Sequence, residues 1–268
     1  MESVDGLNPL AALLRRYAFA YTAAHDFEVC RELMVDDYVL HMGDVELRGR
    51  DEEYIPATRK QYRQFPGLGF TVHDLVLGED RAALHFTEHG RSTLHGGAAS
   101  WQGVSLYRWN GERLTQCRVE QDYYARRTQQ ELGTPRRVGA PALDPWSGPS
   151  STPASGAEEA AQHWLTRNRL LEVSIGSLDD ERDAPPRRVL LSNPDTEVLD
   201  LFGAGERVAF HVAVRGVYAG GLDRRDHLRG LPATLHASGL LTVLDGAVTD
   251  VVAVTDRLAA ERRLAALY

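Results

Sequence analysis

Positive charge, cysteine and long apolar runs are what this sequence has least of. Lys and Arg number 30 against 38 Asp and Glu, for a net charge of -8 at pH 7. Non-specific nucleic-acid binding needs a basic field, so nucleic acid is excluded as an expected partner. The arginine pairs, such as Arg15-Arg16 and Arg126-Arg127, are scattered among acids and read as solvated. Only two cysteines occur, Cys30 and Cys117, with no C-x-x-C spacing. They read as reduced, buried thiols of a cytosolic protein, not as a disulfide framework. No apolar run nears the roughly 20 residues that span a bilayer. The opening Met1-Glu-Ser-Val-Asp-Gly lacks the basic and apolar regions of a signal peptide. A cytoplasmic location with no membrane partner is the expectation. Metalloprotease, phosphate-loop, dinucleotide and nucleophile-elbow motifs are missing too, so no metal and no cofactor is expected. His85 and His89 alternate on one strand face but lie about 13 Å apart along it, too far for one metal ion.

What is there is an ordinary globular composition, 43% hydrophobic and 25% charged over 268 residues. That length favours two domains. Leu10 to Ala24 has helical spacing, with Asn8 as cap and Pro9 at the first position. Asp26 caps a short helix to about residue 34, and Asp36 to Met42 reads as a strand. Gly43 to Gly49 reads as a turn region, and Arg50 to Phe65 returns to helix. Four β-rich runs follow, at 70–77, 81–92, 101–109 and 114–128, the last two joined by the hairpin signal Asn110-Gly111. Residues 133–156 hold five prolines and no periodicity, which marks a linker. A helix over about 157–173 comes next. After an ambiguous charged stretch, 174–195, strand texture runs to about Arg257, with a turn at Asp245-Gly246 and a helical tail.

The two halves repeat each other. Residues 72–90 lie over 198–216 without a gap, at an offset of 126 residues (Val72 to Val198). Asp74, Leu75, Arg81, Ala83, His85 and Gly90 match Asp200, Leu201, Arg207, Ala209, His211 and Gly216. Further on, Asn110-Gly111 matches Asp245-Gly246, and Asp122 falls opposite Arg257. Duplication of one domain explains this. The expected architecture is α+β: residues 1–132, the linker 133–156, and a shorter second copy over 157–268.

The stretches Leu33-Met-Val-Asp-Asp-Tyr-Val-Leu-His41 and Asn110-Gly-Glu-Arg-Leu-Thr-Gln-Cys-Arg-Val-Glu-Gln-Asp122 resemble the nuclear transport factor 2-like superfamily. That superfamily includes the SnoaL-like polyketide cyclases, ketosteroid isomerases and limonene-epoxide hydrolases. The resemblance implies two tandem cones, each a curved mixed sheet packed on N-terminal helices. It also implies a hydrophobic small-molecule ligand, a role in specialised metabolism, and pairing through the sheet. The second copy is then a built-in partner, a pseudo-dimer within the chain, and a further homodimer stays open. Tyr17 stands where the isomerases hold their oxyanion-donating tyrosine, but Met42 occupies the position of their base. Of the cyclases' closing glutamate-x-tryptophan-x-x-x-aspartate, Glu120 is kept, Asp122 replaces the tryptophan and Arg126 the aspartate.

If residues 116–130 form the closing strand, Arg118, Glu120, Asp122, Tyr124 and Arg126 share one face. Neither face of that strand is plainly apolar, which suggests a polar cavity beneath it. Asp122 is the expected general base, set against the alternative of a structural ion pair with Arg118 or Arg126. His41 is a candidate proton shuttle, equally readable as a satisfied half-buried histidine. Tyr17 is a candidate oxyanion donor. Tyr21, one turn on, is more simply core, yet with Tyr124, Glu120 and Arg126 it completes the expected substrate-binding set. The expected function is cyclisation, isomerisation or hydration of a hydrophobic carbonyl or epoxide by acid–base catalysis. The alternative is a non-catalytic ligand-binding or assembly module of the same fold.

Overall fold

The computed structural model describes residues 6–94, 96–172, 190–222 and 225–267. Most of the ambiguous stretch 174–195 lies outside them. Helix α1, Pro9–Arg16, starts where the sequence indicates: the Asn8 side chain accepts from the Leu10 and Ala11 amides, and Pro9 sits at the first position. It continues through a wider, π-type coil, Tyr17–Ala23. The short α2, Phe27–Leu33, is capped by Asp26, which accepts from the Glu28 and Val29 amides. Strand β1 is Met34–Met42. Where a plain turn region was expected, Val45–Arg48 forms a short edge strand, β2, antiparallel to β1. Helix α3, Ile55–Gln64, then leads into β3 (Gly69–Leu77), β4 (Arg81–Arg91), β5 (Ala98–Trp109) and β6 (Leu114–Gln121).

The expected strand 114–128 is too long. The chain leaves the sheet after Gln121, and α4, Tyr123–Leu132, begins with Asp122 as its cap. The Asp122 carboxylate accepts the Ala125 N–H at 3.0 Å, and Gly133, at φ 67°, ends the helix in the left-handed region that suits glycine. The five-residue alternation from Arg118 to Arg126 therefore does not exist beyond Glu120.

The first sheet has the order β2-β1-β6-β5-β4-β3, with β1 and β6 parallel and the other neighbours antiparallel. Its concave side closes over the helices around a core rich in tyrosine and phenylalanine. The linker is not loose where it passes β3. Ala142 N–H donates to the Val72 carbonyl and Ser151 N–H to that of Leu77, while Trp146 is buried. An otherwise open edge strand is thus covered.

The second half carries α5 (Ala157–Thr166) and an antiparallel sheet of β7 (Leu191–Ala204), β8 (Arg207–Tyr218), β9 (Pro232–Leu244) and β10 (Ala247–Thr255), in the order β10-β9-β8-β7. Helix α6, Arg257–Ala266, closes it. The hairpins repeat in register: Asp74 pairs with His85, and Asp200 with His211, each just after a bulge. Beyond the hairpins the offset lengthens. Val104 faces His85 and Glu120, while Ser238 faces His211 and Val254. Glu120 therefore corresponds to Val254, and Asp122 to Asp256, not to Arg257. Both acids stand directly before their terminal helices, and both backbone amides donate across the sheet, Asp122 to the Gln102 carbonyl and Asp256 to that of His236.

The two sheets pack against each other through their convex sides. Val76, Ala83, Val104 and Leu106 of the first meet Phe202, Ala204, Ala209, Leu240 and Val254 of the second in one apolar cluster. Two ion pairs flank the contact with exchanged roles. Arg81 reaches Asp200 at 2.5 Å, and its repeat Arg207 reaches Asp74, the repeat of Asp200, at 2.5 Å. Residue i touching j′ while i′ touches j is the mark of a two-fold, self-complementary interface. Here it lies within one chain.

Candidate functional site

The concave side of the first sheet encloses a cavity of about 210 Å³. Alternate residues of each strand supply its wall: Leu40 and Met42, Val45 and Leu47, Phe86 and Glu88, Ser105 and Tyr107, and Cys117, Val119 and Gln121. Tyr17 from the first helix and Tyr54, Thr58, Gln61 and Tyr62 from the third helical segment close it. The lining includes five phenols, of Tyr17, Tyr54, Tyr62, Tyr107 and Tyr123. Burial raises the pKa of each. They therefore stay neutral hydrogen-bond donors at any physiological pH.

One acidic side chain lines this wall, Glu88 on β4. It is 5% exposed, and its Oε2 accepts from Gln61 Nε2 at 2.7 Å. Burial pushes its carboxyl up to about 7 from an ordinary value of 4.5, against the opposing pull of the nearby Arg126 cation. That guanidinium lies 4.2 Å from the Tyr123 ring centre and 4.9 Å from that of Trp101, so its charge stays close without entering the cavity lining. Glu88 was missed in the sequence because it sits in mid-strand between Thr87 and His89. A sign was available: it shares strand parity with Leu84 and Phe86, an apolar face on which a lone carboxylate is costly. Its repeat in the second half is Val214, which is buried in an apolar core.

The expected site residues divide. Tyr17 lines the cavity, with Tyr107 and Tyr54 as hydrogen-bonding neighbours. Tyr21 packs just behind the wall, its hydroxyl donating to that of Tyr54 at 3.2 Å. Asp122 lies outside the lining: it caps α4 and pairs with Arg257 at 2.6 Å, both buried. The ion pair weighed against catalysis is thus real, but its partner comes from the second half. Tyr124 likewise leaves the cone and joins the second core, with Arg127 and Arg257 over its ring.

His41 points to the convex side. It lines a shallow outer groove with Glu46, 3.3 Å from its Nδ1, and burial together with Arg118 lowers its pKa. Glu120 also faces outward into the sheet–sheet contact. There its Oε1 accepts from the Gly43 amide at 2.7 Å and lies 3.8 Å from His211 Nε2. Burial, reinforced by Asp256, raises its carboxyl well above the ordinary range. The face carrying Arg118 and Glu120 is therefore the pairing face, and the cavity belongs to the other parity. Among the described residues, no group of three or more His, Cys, Asp or Glu is placed to hold a metal ion. None of their helices is long and apolar enough to cross a membrane.

Solved structures with a similar fold each cover about half of this chain. A provisionally assigned SnoaL-like polyketide cyclase from Jannaschia sp. CCS1 is 16% identical, with 48% of this chain and 95% of that one covered and a TM-score of 0.43. IdmH from Streptomyces antibioticus, provisionally assigned as a polyketide cyclase, is 20% identical over 46% of this chain and 99% of its own, with a TM-score of 0.41. TsrD from Streptomyces laurentii is 20% identical over 46% and 94%, with a TM-score of 0.42. No curated protein matches the chain significantly. The family model of the SnoaL-like domain matches residues 14–117, the stretch that builds most of the cone.

Proposed function

We propose that the first half of this chain is a small-molecule enzyme of the cyclase, isomerase or hydratase type, working by general acid–base catalysis on a hydrophobic carbonyl or epoxide compound. The observation that carries the proposal is Glu88: a buried carboxyl on the cavity wall, held by Gln61 and titrating near neutrality. At pH 7 such a group is available both as base and as acid. As carboxylate it takes a proton from the carbon beside a carbonyl. The C–H electron pair moves into the carbonyl group and leaves an enolate, whose oxygen accepts a hydrogen bond from the Tyr17 phenol. Glu88, now neutral, returns the proton at another carbon, which is an isomerisation, or to the oxygen formed when the enolate carbon attacks a second carbonyl, which is a cyclisation. With an epoxide, the same carboxylate takes a proton from water as the water oxygen attacks a ring carbon; the ring C–O bond breaks, and the alkoxide left behind takes that proton from Glu88.

The cavity also narrows the substrate. An apolar cavity of about 150 Å³ holds benzene, so about 210 Å³ suits a compound of one or two rings. No Lys, Arg or His is among the lining residues, which favours an uncharged compound.

The test uses deuterium exchange at the α-carbon of small cyclic ketones in D₂O, followed by NMR. The wild-type protein should catalyse exchange, and Glu88→Gln should slow it about 100-fold or more. Equal rates in both would overturn the assignment of Glu88. A binding module without chemistry is the second reading, favoured by Asp122 and His41 lying outside the cone and by Met42 at the base position. That reading expects the ketones to bind without exchange.

A further inference from the structure

The hairpin of β1 and β2 supplies one wall of the cavity through Leu40, Met42, Val45 and Leu47. Within the sheet its outer strand is weakly held, since β2 has four residues and is hydrogen-bonded to β1 alone. Its turn, however, is seated on the second half of the chain. Asp44 Oδ2 lies 3.0 Å from Arg263 Nη1 of α6, and its Oδ1 lies 3.4 Å from His236 Nε2 of β9. Arg263 is itself fixed by Asp256 at 2.7 Å. The seat is close: Gly43 has φ 56°, and a Cβ there would come 3.0 Å from Asp256 Oδ2. A side chain at this φ would be strained, and the Asp256 carboxylate would have to give by a few tenths of an ångström to admit it.

We infer that the second half positions the cavity's wall: Asp44 and Arg263 are positioning residues that clamp the β1–β2 hairpin and so govern how a ligand enters and leaves. This gives the copy without a cavity carboxylate a role at the active cone. The inference uses the cavity as the ligand site but does not depend on the chemistry of Glu88.

Two measurements on the full-length chain test it. Hydrogen-exchange mass spectrometry follows residues 43–48, and stopped-flow fluorescence follows dissociation of 2-naphthol, a neutral two-ring probe. Asp44→Asn and Arg263→Gln should each speed exchange in 43–48 by about threefold, the scale of one partly exposed ion pair. Naphthol release should quicken alongside, exchange in the other strands should not change, and Arg263→Lys, which keeps the charge beside both Asp44 and Asp256, should stay closer to wild type in both measurements than Arg263→Gln. Unchanged exchange at 43–48 in the single variants would overturn the inference, as would faster exchange spread evenly over the chain. If naphthol fails to bind the wild-type protein, the cavity reading falls, while the exchange measurement still decides whether the clamp exists.

Discussion

Glu88 and Asp122 are both buried carboxylates, and their neighbours assign them opposite duties. Glu88 faces phenols, an amide and apolar carbon, so the folded chain keeps its proton up to about pH 7, while the unfolded chain releases it near the ordinary value of 4.5. Between those values the folded state binds more protons, so this group's contribution to stability falls as pH rises through that window. Glutamine has no proton to lose. Glu88→Gln should therefore gain stability relative to wild type on going from pH 5 to pH 8, by on the order of 3 kcal/mol. Urea midpoints at the two pH values measure this, and a pH-independent difference would show that Glu88 is not the perturbed group. The same physics explains why the sequence pointed elsewhere. A carboxylate's role follows from which side of a curved sheet it faces, and strand parity gives only that two residues share a side. The helical stripe of Tyr17 and Tyr21 was readable and turned both toward the core; the side of the sheet that His41 and Glu120 face was not.

The elements were legible where their ends carry chemistry of their own. Asn8-Pro9, Asp26, Asn110-Gly111 and Asp245-Gly246 all fall where the structure starts a helix or turns a hairpin. The exception is the passage from β6 into α4. Val119 to Tyr124 alternates well enough to read as strand, and Asp122 read as a face residue when it is a cap. The counter-signal was Gly133, ten residues into a polar, helix-compatible run. The strand β2 escaped because four residues are too few for periodicity to show. Asp122 then has a duty at this scale. Besides capping α4 it neutralises Arg257, which is 3% exposed. Asp122→Asn keeps a cap oxygen but leaves a buried cation, so it should cost about 3 kcal/mol or more. Asp122→Asn with Arg257→Met should recover much of that loss, and naphthol affinity should match wild type in both. A folded Asp122→Asn protein that loses α-proton exchange would return the base to Asp122.

For the molecule as a whole, the repeat read from Asp74, Arg81 and His85 against Asp200, Arg207 and His211 becomes visible as exchanged contacts across the sheets. The symmetry is not equal in energy. Arg81 and Asp200 are 13% and 7% exposed, whereas Arg207 and Asp74 are 35% and 32% exposed. Burial alone would raise the Asp200 carboxyl, but Arg81, Arg108 and Arg118 overcome it and hold the group below the usual range. Arg81→Ala should therefore cost about 2 kcal/mol and Arg207→Ala less than about 1 kcal/mol, read from denaturation midpoints. Equal losses would mean that the two flanks are equally solvated. The covalent link between the halves has its own consequence. Two separate chains meeting through this face would part on dilution, and a change on the face would appear in both partners at once. Joined in one chain, each half sees the other at a fixed effective concentration set by the tether. Each flank can also change by itself. Val214 can fill the place of Glu88, and Arg263 can answer Asp44, without a second cone paying for either change.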